Sequence, residues 1–355
     1  MNQKKTHCGT GTAGGTGTAG LARRALALLL AASAALLTVS CAKKRACLSE
    51  TRFVLNTTCT VSLYDKQSQK ILTGAFALLT HYDDLLSTTI PGSDIYRINR
   101  AGGKPVKVNA DTIAVIRSGI RYSELSGGLF DITVGALTSL WNIEGSNPKV
   151  PSGAAIKAAM ATINYKKIAI SGDTVTLENP KAQIDLGGVA KGFIADKVGA
   201  YLTSKGVRSA IVNLGGNVLT VGSKTGGQPF IVGVQQPFQD RNEDIGYLYV
   251  SGRSVVTSGI YERYFIQDGK TYAHILDPRT GYPVQNDLSS VTIISDKSGD
   301  GDGLSATCFL LGVDKAEKLI ESLPDTEAIF IKKDGSTVKT PGIGSKVKFV
   351  PASGS

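Results

Sequence analysis

Residues 184–198, IDLGGVAKGFIADKV, place Asp185 after an apolar strand, then Gly187 and Gly188, then Lys191 and Gly192, and then an amphipathic run. Strand, glycine turn, helix start is an order that suits a bound phosphate. Glycines let the backbone approach the anion, and a helix N-terminus offers free N–H groups and a partial positive charge. Lys191 would add a full charge. Neither standard phosphate loop is present. Phe193 and Ile194 stand where a Walker loop needs Lys and Ser/Thr, and GGVAKG lacks the GxGxxG spacing of a dinucleotide fingerprint. Taken alone, the stretch also serves as a tight strand-to-helix turn with no ligand.

Other segments carry chemistry of the same kind. Residues 300–312, DGDGLSATCFLLG, put Asp300 and Asp302 just before a helical run. Capping that helix is one use for them. Ligating Mg2+ is another, since that ion takes one or two carboxylates together with substrate phosphates. Asp296, Asp300, Gly301 and Asp302 approach EF-hand offsets, but the twelfth position is Thr307 and the preceding segment reads as a strand, so an EF-hand is excluded. Residues 126–137, SGGLFDITVGAL, gather glycines with Phe130 and Asp131. VNLGGNV adds the Gly215–Gly216 turn between Asn213 and Asn217, and TSGIYERYF joins Thr257 and Ser258 to aromatics. His274 lies three residues before Asp277, in a polar loop whose Pro278 and Gly281 fit a tight turn. A lone histidine is commonly structural; the polar setting here favours a functional role.

The elements that hold these residues follow from periodicity. Residues 51–65 alternate as a strand, and 69–86 have helical apolar spacing. A turn-rich piece covers 87–105. Residues 111–126 read as a helix stopped by Gly127 and Gly128. Residues 130–141 are a further apolar segment, 142–153 a loop, and 152–163 a helix. Strands then dominate: 166–170, 174–178 and 182–186, and beyond the glycine motif and its helix 210–214, 217–222, 229–235, 246–251, 254–258, 262–266 and 290–295. A last helix is expected over 303–322 and a last strand over 328–333. Strands in hairpin-like succession, without repeated βαβ order, predict an α+β fold with antiparallel sheets and packed helices.

The chain has 355 residues, 42% hydrophobic and 19% charged, an ordinary globular composition. Much of its formal net charge of +10 sits among Lys4, Lys5, Arg23, Arg24, Lys43, Lys44 and Arg45, and no basic run follows, so nucleic-acid binding is not expected. With three histidines, His7, His81 and His274, and no Cys/His cluster, a zinc site is not expected. Cys47, Cys59 and Cys308 read as small apolar packers or one incidental bridge. Residues 23–41, RRALALLLAASAALLTVSC, have two arginines, a short apolar run, small residues and a cysteine. That is the pattern of a secretory signal rather than a membrane span. A cysteine just after such a segment is where bacterial lipoproteins are acylated, and a plain cleaved signal or an uncleaved anchor is the other reading. The expected organisation is a leader and signal over 1–40, a lipid-anchored tether over 41–50 beginning at Cys41, and one domain over 51–350.

The motifs SDIYRIN, SGGLFDITVGAL, IDLGGVAKGFIAD, VNLGGNV, TSGIYERYF, HILDPRTGYP and DGLSATCFLLG, in that order, resemble the ApbE family of FAD:protein FMN transferases from about residue 51 to 335. The resemblance implies a T-fold-like α+β body that binds FAD with Mg2+. It implies splitting of the FAD pyrophosphate, release of AMP, and attachment of FMN to a Thr or Ser hydroxyl. The acceptors would be subunits of membrane redox complexes outside the cytoplasm, which puts the protein on the periplasmic side of the inner membrane. FAD pyrophosphatase activity, giving FMN and AMP, is expected alongside. The alternative is a flavin-binding or scavenging lipoprotein without chemistry; a generic solute-binding lipoprotein would need two matched α/β lobes, which the pattern lacks.

Residue by residue, the resemblance implies that Leu55, Asn56, Thr89, Leu129, Phe130, Asp131, Asp185, Lys191, Thr257, Ser258 and Ile275 contact FAD. It implies Gly188 and Asp302 as metal-binding and His274 and Asp302 as catalytic, His274 moving a proton around the attacking hydroxyl or leaving AMP. The chain departs from the family in two places. Leu55-Asn56-Thr57 replaces the usual Met-Gly-Thr, and Ala306 holds the place of a metal-binding Thr, leaving either the Ala306 carbonyl or the adjacent Thr307 to serve.

Overall fold

The computed structural model describes residues 47–240 and 243–352. The leader, the signal segment and Cys41 lie outside the described residues. The chain runs β1 (Leu48–Val54), β2 (Thr57–Leu63), α1 (Gln69–Leu86), α2 (Asp94–Arg100), β3 (Val106–Lys107), α3 (Ala110–Leu125), α4 (Gly135–Trp141) and α5 (Gly153–Met160). A 3-10 turn, Tyr165–Lys167, leads to β4 (Ile168–Ser171), β5 (Thr174–Leu177), α6 (Ala190–Ser204), β6 (Ser209–Leu214), β7 (Asn217–Gly222), β8 (Phe230–Gln235) and β9 (Asp244–Val250). Then follow β10 (Ser254–Gly259), β11 (Tyr264–Gln267), β12 (Lys270–Ala273), β13 (Leu276–Asp277), β14 (Tyr282–Pro283) and β15 (Leu288–Ser295). The last elements are α7 (Ser298–Leu311), α8 (Val313–Glu321), β16 (Glu327–Lys332), β17 (Thr337–Lys339) and β18 (Lys348–Pro351).

The centre is an eight-stranded sheet in the order β1-β2-β6-β7-β10-β15-β16-β17. Every neighbouring pair in it is antiparallel, as the hairpin-like succession predicts. Side chains of a strand alternate between faces, and the two faces of this sheet have different partners. Val256 on β10 meets α7, where a Cβ on Gly301 would come within 2.8 Å of its methyl. That face carries the main core, built from α1, α3, α6, α7 and α8. Val255, Ile294, Ile329 and Ile331 turn the other way and pack with Val234, Ile245 and Leu248 of the β8-β9-β18 sheet. A small third core of Leu137, Trp141, Ile156 and Leu276 joins α4 and α5 to the chain around His274.

Four expectations need correction. The turn-rich piece contains α2, which Ser93 caps by accepting from the Tyr96 N–H. The segment 182–186 is no ladder strand; it makes one isolated bridge, Gln183 to Val134. The acidic DGDG does not precede a helix but lies within the first turns of α7, which starts at Ser298. The expected helix over 303–322 breaks at Gly312, whose φ of 75° ends α7 and starts α8. In addition, β1 begins at Leu48, within the stretch expected as tether. Cys47, Cys59 and Cys308 are free thiols, the latter two buried, which fits their reading as packers.

Candidate functional site

Two helix N-termini cross at glycines, and each is capped by a carboxylate of the other. Gly192, in the first turn of α6, donates its N–H to Asp302 Oδ2 at 2.9 Å. Ser298 and Gly299, opening α7, donate to Asp196 Oδ1 and Oδ2 at 2.8 and 2.9 Å. The first turns of helices leave N–H groups without partners within the helix, and these two carboxylates take some of them. Position 192 must be glycine for the crossing to be this close: a Cβ there would overlap the Ser298 carbonyl oxygen and lie 2.7 Å from Asp302 Cβ. Burial raises the Asp196 carboxyl above its ordinary range, against the lowering effect of the two N–H groups.

The crossing fixes Asp302 with one oxygen committed and one not. Its carboxylate is 4% exposed. Oδ1 faces the Lys191 ammonium at 3.7 Å, beyond hydrogen-bond length, while Lys191 Nζ donates to the Gly187 carbonyl at 3.0 Å. Ala306 lies one turn beyond Asp302, on the same face of α7. A Cβ on Gly188 would sit 2.7 Å from the Phe130 ring and 3.6 Å from Ala306 Cβ. The glycine loop, Asp302 and Ala306 therefore meet. Thr307 does not join them. Successive helix residues differ by about 100° around the axis; Thr307 is 0% exposed, and its buried Oγ1 has no partner among the described residues.

No group of three or more His, Cys, Asp or Glu that would hold a metal occurs among the described residues. The donors at the crossing are one carboxylate oxygen with no hydrogen bond among the described residues and the carbonyls of the Gly187–Gly188 turn, of which that of Gly187 already accepts from Lys191 Nζ. That set fits Mg2+, which keeps open positions for water and phosphate oxygens.

Asp185 shapes the loop from the other side. Its Oδ1 accepts from the Gly187 N–H and its Oδ2 from the Thr138 hydroxyl, both at 2.8 Å. It lines a polar pocket of about 380 Å3 together with Thr89, Asn99, Thr138, Ser139 and Gln183. Thr89 and Asp185 thus line one cavity.

His274 follows β12 and extends the β11–β12 hairpin. Its N–H donates to the Arg263 carbonyl at 3.1 Å, and its Nδ1 lies 3.2 Å from the same oxygen. A carbonyl only accepts, so Nδ1 carries the proton and Nε2 keeps a free lone pair. Burial, then the charges of Arg263 and Lys191, push the imidazole down to about 4 from an ordinary 6.5. It is neutral at neutral pH, the form a proton acceptor needs.

The remaining expected residues divide. Leu55 and Asn56 form the β1–β2 turn with φ of 58° and 55°, the left-handed pair of a two-residue hairpin loop. Leu55 donates its N–H to Asp83 at 3.2 Å, and the exposed Asn56 amide donates to Glu144 at 2.7 Å. Ser258 faces α7, its hydroxyl 2.8 Å from that of Ser305. Thr257 points to the opposite face and pairs with Thr292 at 2.8 Å, so these neighbours do not line one surface. Asp131 turns inward: it accepts from Thr133 N–H, Thr133 Oγ1 and Tyr165 N–H at 2.8, 2.6 and 2.9 Å. Burial raises its carboxyl, and its task here is to fold the 131–134 turn against residue 165. Phe130 packs edge-on against Tyr122, centroids 6.4 Å apart, beneath Gly188. Leu129 is half-buried beside it, and Ile275 belongs to the main core. Sequence reasoning missed Thr138, Ser305 and Glu144. An S/T one helix face from a glycine motif is a faint signal; a lone loop glutamate is none.

Known proteins resemble this chain over most of its length. Residues 55–330 match the model of the ApbE family. The chain is 41% identical over 262 residues to a FAD:protein FMN transferase of Klebsiella pneumoniae, covering 73% of this chain and 81% of the relative. It is 34% identical over 324 residues to the FAD:protein FMN transferase of Treponema pallidum, covering 86% and 90%. Among solved structures, the ApbE protein of Thermotoga maritima superposes with a TM-score of 0.77 at 31% identity, over 83% of this chain and 97% of that one. The flavin transferase ApbE of Vibrio cholerae gives 0.75 at 27% identity, over 83% and 98%.

Proposed function

The chain belongs to the ApbE family, and from that premise we propose that it is a FAD:protein FMN transferase, dependent on Mg2+, that releases AMP. The observation that carries this reading is Asp302 Oδ1, which accepts no hydrogen bond among the described residues and faces Lys191 at the N-terminus of α6 beside the glycine loop.

The chain's residues divide the work as follows. The Gly187–Gly188 turn and the start of α6, whose N-cap Val189 supplies no side-chain acceptor, receive the pyrophosphate of FAD. Lys191 offsets part of its charge. Asp302 Oδ1 and the Gly188 carbonyl would hold Mg2+, which when bound neutralises phosphate charge as the bridging bond breaks. His274 Nε2 takes the proton of the incoming Thr or Ser hydroxyl. The hydroxyl oxygen bonds to the FMN phosphorus, the bond from that phosphorus to the bridging oxygen breaks, and AMP departs with that oxygen. Positioning and charge supply most of the acceleration in phosphoryl chemistry. Water is the same kind of nucleophile, so FAD hydrolysis to FMN and AMP accompanies transfer when no acceptor is docked. A positioned hydroxyl gains a large effective-concentration advantage over water, so transfer dominates once an acceptor is present.

The test is to incubate the protein with FAD, with and without Mg2+, and follow AMP and FMN by chromatography. Mg2+-dependent AMP is expected; FAD bound and returned intact would establish a flavin binder instead. The site residues Leu55, Asn56, Thr89, Asp185, Lys191, Ser258 and His274 are read as lining one FAD-binding surface. We place the protein on the periplasmic face of the inner membrane, held through an acylated Cys41 near acceptor subunits of membrane redox complexes. No helix among the described residues is long and apolar enough to cross a membrane. Cys41→Ala should move the protein to the soluble periplasmic fraction; continued membrane partitioning would remove the anchor.

A further inference from the structure

Glu144 stands in a loop with no part in the machinery described so far, yet it joins three distant segments at the site. Left-handed Asn142, φ 44°, ends α4, and Gly145 closes the turn by donating to the Asn142 carbonyl at 2.9 Å. This turn projects Glu144 outward. One carboxylate oxygen, Oε2, accepts from the Asn56 amide at 2.7 Å, across 88 residues of sequence. The other, Oε1, accepts from Arg263 Nη1 at 2.5 Å, across 119 residues. Asn56 is the tip of the first hairpin, and the Arg263 carbonyl is the atom that holds the His274 ring.

Stability does not account for this bridge. The Glu144 and Arg263 side chains are 40% and 34% exposed, and surface ion pairs of that kind contribute little to stability. Order does. Arg263 lies just before the short hairpin β11–β12, whose outward residues Tyr264 and Ile266 are exposed. The guanidinium is the side-chain tether of the residue whose backbone sets the His274 tautomer and angle. Displacing a proton-transfer group by about 1 Å costs on the order of a hundredfold in rate, so a modest loosening of Arg263 is magnified in turnover.

We propose that Glu144 is a positioning residue for FMN transfer: it ties the Leu55–Asn56 turn to Arg263 and so holds the His274 ring in its productive orientation. The proposal rests on the reading of His274 as the proton acceptor. It assigns no substrate contact to Glu144 itself. Asn56 is the second anchor of the bridge, so the residue that replaces glycine in the family pattern is also the one that lets this bridge form.

The experiment uses the full chain in detergent with FAD, Mg2+ and an acceptor domain, and measures kcat and KM for FAD. Glu144→Ala should lower kcat about tenfold and change KM for FAD less than about threefold, with an unfolding temperature near that of the parent protein. Glu144→Gln, which still offers an acceptor oxygen to Arg263, should recover most of kcat. Arg263→Ala should lower kcat similarly, and the double variant should be no worse than either single one, because both act through one link. Unchanged kcat in Glu144→Ala, or a loss that adds fully to that of Arg263→Ala, would overturn the proposal. His274→Ala is measured separately: if it retains full turnover, the reading of His274 fails, whereas a dead His274→Ala beside a fully active Glu144→Ala rejects the role of Glu144 alone.

Discussion

Replacing Asp302 by Asn separates its two roles at the helix crossing. The Asn carbonyl oxygen can still accept from the Gly192 N–H, the bond that Oδ2 makes at 2.9 Å, so the cap is kept. Loss of a cap altogether, as in Asp302→Ala, costs about 1 kcal/mol. The negative charge on the oxygen facing Lys191 at 3.7 Å is lost in both variants. For the parent protein, Mg2+ at a hundred times its dissociation constant adds about 2.7 kcal/mol to the folded state. A domain of this size shifts by roughly 2 °C per kcal/mol, so the unfolding temperature should rise by about 5 °C. The assay is thermal unfolding across a Mg2+ titration with ADP present, since ADP carries the adenosine pyrophosphate portion of FAD. Asp302→Asn should unfold within about 2 °C of the parent without Mg2+ and lose nearly all of the Mg2+ shift. Its release of AMP from FAD should fall by about a hundredfold or more, the scale of losing one electrostatic contact to a transition state. An Asn variant with the parent's Mg2+ shift and turnover, or parent turnover unaffected by excess EDTA, would refute the assignment.

Three further outcomes follow from the same geometry. His274 has a folded-state value pushed down to about 4, so below pH 6.5 the unfolded chain binds a proton that the native state does not; this contribution to stability falls by about 1.4 kcal/mol per pH unit until about pH 4 and then levels. Comparing unfolding temperatures of the parent and His274→Gln from pH 7 to 4 should show the variant gaining relative to the parent as pH falls, and a pH-independent difference would contradict it. Gly192→Ala should destabilise by about 1–3 kcal/mol despite the better helix propensity of alanine, because its Cβ collides with the Ser298 carbonyl; an unfolding temperature equal to the parent's would show that the crossing relaxes freely. Asn56→Tyr should shift the protein from turning FAD over toward holding it, through stacking on the flavin ring; unchanged hydrolysis and unchanged FAD affinity would place residue 56 away from the flavin.

Much of the fold was legible because its strands alternate strongly and succeed one another as hairpins. The glycine loop and its helix were legible for the same reason, an apolar strand running into Gly187 and Gly188 and then an amphipathic run. The start of α7 was not. Its SGDGDG composition disfavours a helix locally, and tertiary contacts override that preference: Asp196 caps the end, and Gly299 and Gly301 allow close approach to α6 and Val256. Misplacing that start also hid the helix phase. Once Asp302 is inside the helix, its neighbour one turn on is Ala306, and Thr307 falls toward the core. Helix α2 was hidden in a turn-rich stretch, although Ser93 before Asp94 is a recognisable start. Asp131, which the resemblance implies as a flavin contact, has its carboxylate engaged by three internal hydrogen bonds, two from Thr133 and one from Tyr165, 34 residues along the chain and beyond the reach of local sequence reasoning. Glu144 had no readable signal, since both of its partners come from far along the chain.

The most direct test of the central claim is transfer itself. The protein is mixed with FAD, Mg2+ and an acceptor domain carrying a single target threonine, and the acceptor is then analysed by intact-mass spectrometry. The acceptor should gain the mass of one FMN less one water, with AMP released in equal amount, and the gain should vanish when the target threonine is replaced by alanine. Consumption of FAD to free FMN and AMP with no mass added to the acceptor, across several acceptors, would contradict the account and leave only a hydrolase.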